Sequence, residues 1–366
     1  MKKKTLFLIL FLFIISFSYG CIYNNKVFKK EITNISIDYS NQGIHNPKSV
    51  LKTKNKFYID YNGCIYSIGL KNFEAKLVTT LTYIDDKYYR SSIDDNIYID
   101  MLKKIEKKSF LPDIHLVDNK IFYIAEVMEK GETYYKLSSV DLEGKNKTDY
   151  ITFYDEVIGL KVCDDYFIIS IIKDSKSHIY LYDKNLNFKE IFINGRLKAT
   201  YKNYIISEVV EHEIVDIYAY DVISGKSKLI LHDFGFVESI SDGLLSTTKL
   251  NNFNDMNSDY KSFVFNFRNM NKLLEFENLI PLFFDEKYIY LSKGIGKQDF
   301  IKTDKKGEII HRINIFDKKD YVNYSHIIAN IGDNLICMDN KIEYKYYILN
   351  LKDKSVKNID FRDIDS

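Results

Sequence analysis

The 366-residue sequence predicts an all-β fold assembled from repeated four-stranded units. Two recurring marks carry the prediction, and the composition agrees with both. The first mark is a polar turn that opens an apolar strand. It occurs at Asn55-Lys56-Phe57, Asp86-Lys87-Tyr88, Asn119-Lys120-Ile121, Asp165-Tyr166, Lys202-Asn203-Tyr204, Asp242-Gly243, Glu286-Lys287-Tyr288 and Asp333-Asn334-Leu335. The spacing averages about 40 residues, which is what four short strands and their turns require. The second mark keeps phase with the first. It is an alternating strand that stops at Gly69, Asp100, Asp141, Asp183, Asp221, Asn266, Asp304 and Asn350. Asp and Asn start tight turns by bonding their own backbone, and a following Gly supplies positive φ, as in Asp141-Leu142-Glu143-Gly144-Lys145. The 30 Tyr and 25 Phe, with only 3 Pro, suit strands.

The elements follow in chain order. Residues 1–20 read as an export signal. Lys2, Lys3 and Lys4 precede an apolar run from Leu6 to Phe17, and no acid occurs before Glu31. That run is shorter than the roughly 20 residues a spanning helix needs. Cys21 follows Gly20 and resembles the lipobox of bacterial lipoproteins, although Ser18 stands where that family has Leu. The resemblance implies diacylation of Cys21 and a lipid anchor for the mature chain. Residues 21–39 then form a tether, with Ile32–Tyr39 available as an added strand for the last repeat. The repeats occupy 40–361. A further strand precedes each first mark, as at Gly159–Val162, Ile280–Phe284 and Ile327–Ile331, so each unit reads as four antiparallel strands. Met101–Lys108 is the one stretch with a helical look.

A four-stranded sheet has a face it cannot bury alone, and stacking the units radially buries it. The reading is therefore a β-propeller. Eight blades are favoured narrowly over seven, because the first two units are short and merge in the seven-bladed alternative. The polar turn, the Tyr-rich alternation and the Asp-x-x-Gly-Lys turn resemble bacterial propeller proteins of the TolB-like and YWTD-like style, an uncharacterised lipoprotein type. The resemblance implies the fold and is nearly silent on function. An outer-membrane assembly lipoprotein with blades of the PQQ-like type shares the shape. Its blades carry Trp, and this chain has none.

The chemistry-bearing residues exclude more than they select. Net charge is +1, or −2 once the three signal lysines leave, which excludes nucleic-acid binding by electrostatics and a polybasic membrane face. No G-x-S-x-G elbow, Walker A loop or G-x-G-x-x-G fingerprint occurs. Cys64, Cys163 and Cys337 lie in strands and read as small buried hydrophobes rather than disulfide or zinc partners. His212-Glu213-Ile214-Val215-Asp216 is a partial echo of a zinc motif in a loop-to-strand context, so a solvated loop is the preferred reading. Asp183-x-Asn185-x-Asn187 has a turn to explain it. Asp255, Asn257 and Asp259 lie in the longest polar insertion, Asn251–Tyr260, and form a weak metal candidate that lacks the Gly and Glu of a calcium loop.

These readings converge on an exported, membrane-anchored propeller at the cell envelope. It binds an unknown protein or glycan, needs no cofactor, and has no assigned catalytic residue. Binding is preferred to catalysis. The alternatives are an envelope-assembly factor and a carbohydrate-active enzyme with its site at the channel. The longer connections Met128–Thr133, Lys173–Ser177, Asn251–Tyr260 and Ser292–Gln298 are expected on one face, around the channel mouth.

Overall fold

Seven antiparallel sheets follow one another along the chain. The computed structural model describes residues 50–359 apart from 62, 85–113, 130–131, 175, 194, 253–258, 294–298, 315–324, 340–344 and 354. Strands and turns make up all of it; no helix occurs among the described residues. Cys21, Ile32–Tyr39 and Met101–Lys108 lie outside them.

Blade 1 comprises Val50–Lys52, Lys56–Tyr61, Cys64–Gly69 and Ala75–Thr80. Blade 3 comprises Glu156–Cys163, Tyr166–Lys173, Lys176–Asp183 and Phe188–Ile191. Blade 4 runs through Arg196–Tyr201, Tyr204–Glu211, Ile214–Asp221 and Lys226–His232. Blade 5 runs through Phe236–Ser241, Leu244–Leu250, Tyr260–Asn266 and Lys272–Glu277. Blade 6 consists of Ile280–Phe284, Tyr288–Ser292, Asp299–Asp304 and Ile309–Asn314. Blade 7 consists of Ser325–Ile331, Asn334–Asp339, Lys345–Asn350 and Val356–Asn358.

Blade 2 differs, and it corrects the blade count. Its second strand, Lys120–Glu129, pairs on one side with Glu132–Asp141, which in turn pairs with Thr148–Phe153. On the other side it pairs with two short pieces. His115–Val117 runs antiparallel along Lys120–Phe122, and Thr82–Ile84 runs parallel along Glu126–Met128. The two ends of the 85–113 stretch are thus spent on one strand of one sheet. The repeat marked at Asp86-Lys87-Tyr88 and Asp100 lies outside the described residues, between two strands that both pair with Lys120–Glu129, and the ring has seven blades rather than the eight favoured from sequence. The short first unit at Lys56 is a full blade. The count falls because the described strands on either side of the second marked unit both join the sheet of the third.

The turn chemistry is as the sequence predicts. Asp141 Oδ1 accepts from the backbone of Glu143 and Lys145. Asp183 does the same for Asn185 and Asn187, which gives Asp183-x-Asn185-x-Asn187 its structural reason. Asp304 accepts from Lys306 and Glu308, and Asn350 from Lys352 and Asp353. The turns that open the second strands take left-handed backbone at Asp118, Asn119, Asp164, Lys202 and Asp242.

Seven apolar clusters fill the seven interfaces between blades. Phe122, Leu137 and Ile151 of blade 2 meet Leu160, Phe167 and Ile169 of blade 3. Ile206 and Ile217 of blade 4 meet Val237, Leu245 and Phe265 of blade 5. The ring closes where Phe57, Ile59 and Ile68 of blade 1 pack on Ile336, Tyr346, Ile348 and Ile359. Tyr346 Oη donates to Asp60 O at 3.2 Å across that seam, and Lys357 Nζ donates to Asn72 O at 2.6 Å. Each sheet other than blade 2 is built from four consecutive strands, and among the described residues no strand is shared across the seam. Among the described residues the seam is held by side-chain packing and these two hydrogen bonds, without a common β-ladder. Cys163 and Cys337 are fully buried and Cys64 half-buried, as expected of apolar fillers. Burial pushes the Cys337 thiol up to about 12, away from reactivity.

Candidate functional site

The first strand of each sheet is the inner one; the first strands of blades 3, 4, 5 and 6 approach one another in sequence around the axis. Strand direction alternates within a sheet. The connections between second and third strands and the connections between blades therefore leave from the same end. The flanks of Met128–Thr133, Lys173–Ser177, Asn251–Tyr260 and Ser292–Gln298 all pair at that end, through Glu129 with Glu132, Lys173 with Lys176, Leu250 with Tyr260 and Ser292 with Phe300. The expectation that they share a face holds.

A β-bulge interrupts the inner strand of five blades, at one equivalent position in blades 4 to 7 and two residue pairs further along in blade 3. It falls between Val157 and Gly159, Leu197 and Ala199, Val237 and Ser239, Pro281 and Phe283, and Ile327 and Ala329. The extra residues are Ile158, Lys198, Glu238, Leu282 and Ile328. A bulge bends its strand and re-aims the residue it adds. In these five blades it places one such residue near the same end of the axis. Two of them, Lys198 and Glu238 in adjacent blades, are charged.

A second polar position recurs in the second strands. The fifth residue of the second strand is buried and polar in five blades: Asp60, Ser170, Glu208, Thr248 and Ser292. Glu208 shows why. Its Oε1 accepts from Val237 N, the backbone at the bulge of the next blade, and its Oε2 lies 3.4 Å from Lys198 Nζ. A bulge frees a backbone N–H from the ladder, and the neighbouring carboxylate satisfies it. Glu238 in turn bonds the Thr248 hydroxyl, and Thr248 Oγ1 lies 2.8 Å from Ser262 Oγ. Lys198, Glu208 and Glu238 thus form one charged group bridging blades 4 and 5.

The electrostatics follow from burial. Glu208 is only 4% exposed at its side chain, and loss of water raises its pKa against the pull of Lys198. Burial pushes Glu238 up to about 7, opposed by Lys198 and the Thr248 bond and reinforced by Glu208. In blade 2, burial and the nearby Glu126 and Glu156 push Tyr135 up to about 12.

Gly235 and Gly195 let the backbone enter these inner strands. Both have positive φ, +81° and +75°. A Cβ on Gly235 would stand 2.1 Å from Thr248 O, and one on Gly195 1.9 Å from Glu208 O. Gly235→Ala is expected to cost about 2 kcal/mol or more, from left-handed strain plus this collision, and to displace the Glu238–Thr248 pair. Urea unfolding checks the cost. A Gly235→Ala protein as stable as the parent would mean the entry path is not this tight.

The other sequence candidates stay apart from this group. His212 and Glu213 form the two-residue turn between the second and third strands of blade 4, with φ of 49° and 71°, and both are exposed. That is the solvated loop the sequence favours. Asp255 and Asn257 lie outside the described residues; Asp259 is exposed, and its O accepts from Asn251 N at 2.9 Å. No group of three or more His, Cys, Asp or Glu suited to a metal occurs among the described residues. Sequence reasoning missed Lys198, Glu208 and Glu238. The signal was present: Ile158, Lys198, Glu238 and Leu282 recur at about the blade period, each one residue before or after a small or apolar partner.

The fold and this geometry define the class: a seven-bladed β-propeller whose described blades follow one another along the chain. No protein-family model and no curated protein matches the chain. Solved structures do. An uncharacterized protein, lmo1340, of Listeria monocytogenes EGD-e is similar with a TM-score of 0.55 at 11% identity, covering 92% of this chain and 97% of that one. The β-propeller domain of the Trilobed protease from Pyrococcus furiosus, which has an open velcro topology, is similar with a TM-score of 0.51 at 13% identity, covering 86% and 95%. TolB from Acinetobacter baumannii matches with a TM-score of 0.39 at 13% identity, over 85% and 78%. At these identities the likeness concerns the fold alone.

Proposed function

We propose that this chain is an exported lipoprotein, held at the cell envelope by a diacylated Cys21, whose propeller binds a protein or glycan on the face that carries the long connections. The observation that supports binding is the repeated inner-strand bulge, which gathers Lys198, Glu208 and Glu238 beside the axis at that same face. A scaffold does not need to bury charge near a solvent-facing end, and doing so is costly without a partner to compensate it. The export reading rests on the charged, apolar and small-residue order of residues 1–21.

Two experiments test the two halves. Replacing Cys21 by Ser should move the protein from the membrane to the soluble fraction; continued membrane association would defeat the anchor. Exchanging Asn251–Tyr260 for a short turn should abolish partner capture in a crosslinking pull-down from intact cells while leaving the thermal midpoint in place. Unchanged capture would defeat the face. A second reading, a carbohydrate-active enzyme, is favoured by one observation: the convergence of Glu208 with a Glu238 held near neutral pKa, the setting a general acid requires. Glycan turnover by the parent protein, abolished in Glu238→Gln, would establish it.

A further inference from the structure

We propose that the end of blades 2, 3 and 4 that carries the long connections docks a lysine- or arginine-rich segment of a partner protein, with its cations over the exposed rings of Tyr154 and Phe192 and beside the acids around them. The inference rests on the reading of this face as the binding face and gives that face a partner chemistry.

The first ground is a repeated exposed ring. Where an outer strand ends, the chain crosses to the next blade. In blades 2, 3 and 4 a buried apolar residue at that point is followed at once by an exposed ring: Phe153 by Tyr154, Ile191 by Phe192, and Leu231 by His232. The buried residue packs against the next blade, and the alternation of an extended chain turns its successor outward. Tyr154 is 70% exposed and Phe192 83%. His232 Nδ1 lies 2.6 Å from Asp216 Oδ1, which leaves Tyr154 and Phe192 as the rings offered. Tyr154 tilts against Tyr134 with ring centroids 6.2 Å apart, and Lys136 Nζ stands 5.7 Å from the centroid of Tyr134. This ring pair therefore already takes one cation from the chain itself.

The second ground is where apolar surface is left exposed. Ile158, Val210 and Ile214 are exposed at the same end of blades 3 and 4. Every other large hydrophobic exposed among the described residues lies on an outer strand or in the turn that leads into one. Apolar residues scattered singly over a surface need no explanation, but a set gathered at one end of three adjacent blades marks a place where a partner is met. The third ground is charge, and it selects the partner. The strand ends and connections at this end, 129–134, 154–158, 173–178, 190–198 and 208–216, carry ten Asp and Glu against five Lys and Arg. Glu132, Glu156, Asp174, Glu211 and Glu213 are exposed. A neutral glycan gains nothing from that excess, and an anionic glycan or the same end of a second copy is repelled by it. A basic segment is drawn to the acids, and its cations stack on the faces of exposed Tyr and Phe.

Heptalysine, heptaglutamate and chitohexaose are each titrated calorimetrically into residues 22–366 at low salt. The expected result is saturable binding of heptalysine alone. Tyr154→Ala and Phe192→Ala should each weaken it roughly two- to fivefold, the range that a surface contact between a cation and a ring supports, and the double variant further. The thermal midpoint should stay in place, because both rings are exposed. These variants keep every charge, so attraction by net charge alone would show no loss. Leu273→Ala, exposed on the outer strand of blade 5, should bind as the parent does. Glu211→Gln combined with Glu213→Gln should weaken binding and flatten its dependence on salt. The proposal is overturned if heptalysine does not bind at millimolar concentration, if heptaglutamate or chitohexaose binds more tightly, or if the double ring variant binds as the parent does. Partner capture that is lost on exchange of Asn251–Tyr260 but unchanged in the double ring variant would leave the binding face standing and remove this docking site.

Discussion

Phe57→Ala is expected to destabilise the protein by about 3–5 kcal/mol, the usual cost of emptying a buried aromatic site. Phe57 is fully buried on the face of blade 1 that closes against blade 7. The consequence should be local as well as global. The interface between blades 4 and 5 is reinforced by the short link Asp233–Gly235 in the chain itself. The seam between blades 7 and 1 has no such link and no shared ladder among the described residues; it has the apolar cluster and the bonds from Tyr346 and Lys357. Weakening it should let blade 1 open before the remainder unfolds. Hydrogen exchange in Phe57→Ala should therefore rise in blades 1 and 7 at urea concentrations where blades 3–5 remain protected. Phe265→Ala, at the interface between blades 4 and 5, serves as the comparison. It should cost a similar amount without selective exchange at the seam. Uniform exchange in both variants would mean the ring opens as a whole.

Glu238→Gln is expected to make the protein more stable at pH 8 and to leave it unchanged near pH 4.5. In the unfolded chain Glu238 ionises near the ordinary value of 4.5, whereas in the fold its pKa is about 7. Between those values the folded state holds the extra proton, so stability falls as pH rises through the window and is lowest above it. The difference amounts to on the order of 2–3 kcal/mol at pH 8, and the amide, which has no charge to bury, removes it. Glu208 is pushed in the same direction and leaves a residual slope. Carboxylates held low by turn bonds, such as Asp141 and Asp221, act below the ordinary range and so leave this window clear. Urea midpoints of both proteins at pH 5 and pH 8 check it. A parent protein equally stable at the two values would show that Glu238 is solvated in its charged form.

The residues that mark turns were readable at sight. Asp141, Asp183, Asp221, Asn266, Asp304 and Asn350 each end a third strand because a short acceptor bonds the backbone just ahead of it, a contact within five residues that needs no tertiary partner. Strand alternation was legible for the same reason. The blade count was not. Asp86-Lys87-Tyr88 and Ile97–Asp100 carry the local marks of a blade, yet the strands flanking that stretch both pair with Lys120–Glu129. Only a long-range choice of partner separates an insertion from a repeat.

The site divides in the same way. Local sequence determined the strands, the turns and the end of the molecule from which the long connections leave, because hairpin chemistry and strand alternation act over a few residues. The tertiary structure alone decided that Glu208 of one blade would meet the bulged backbone of the next, with Lys198 and Glu238 drawn in beside it. A bulge is one residue of mismatch between two strands and exists only once their register is set. A carboxylate 29 residues before the N–H it binds has no local mark in the sequence.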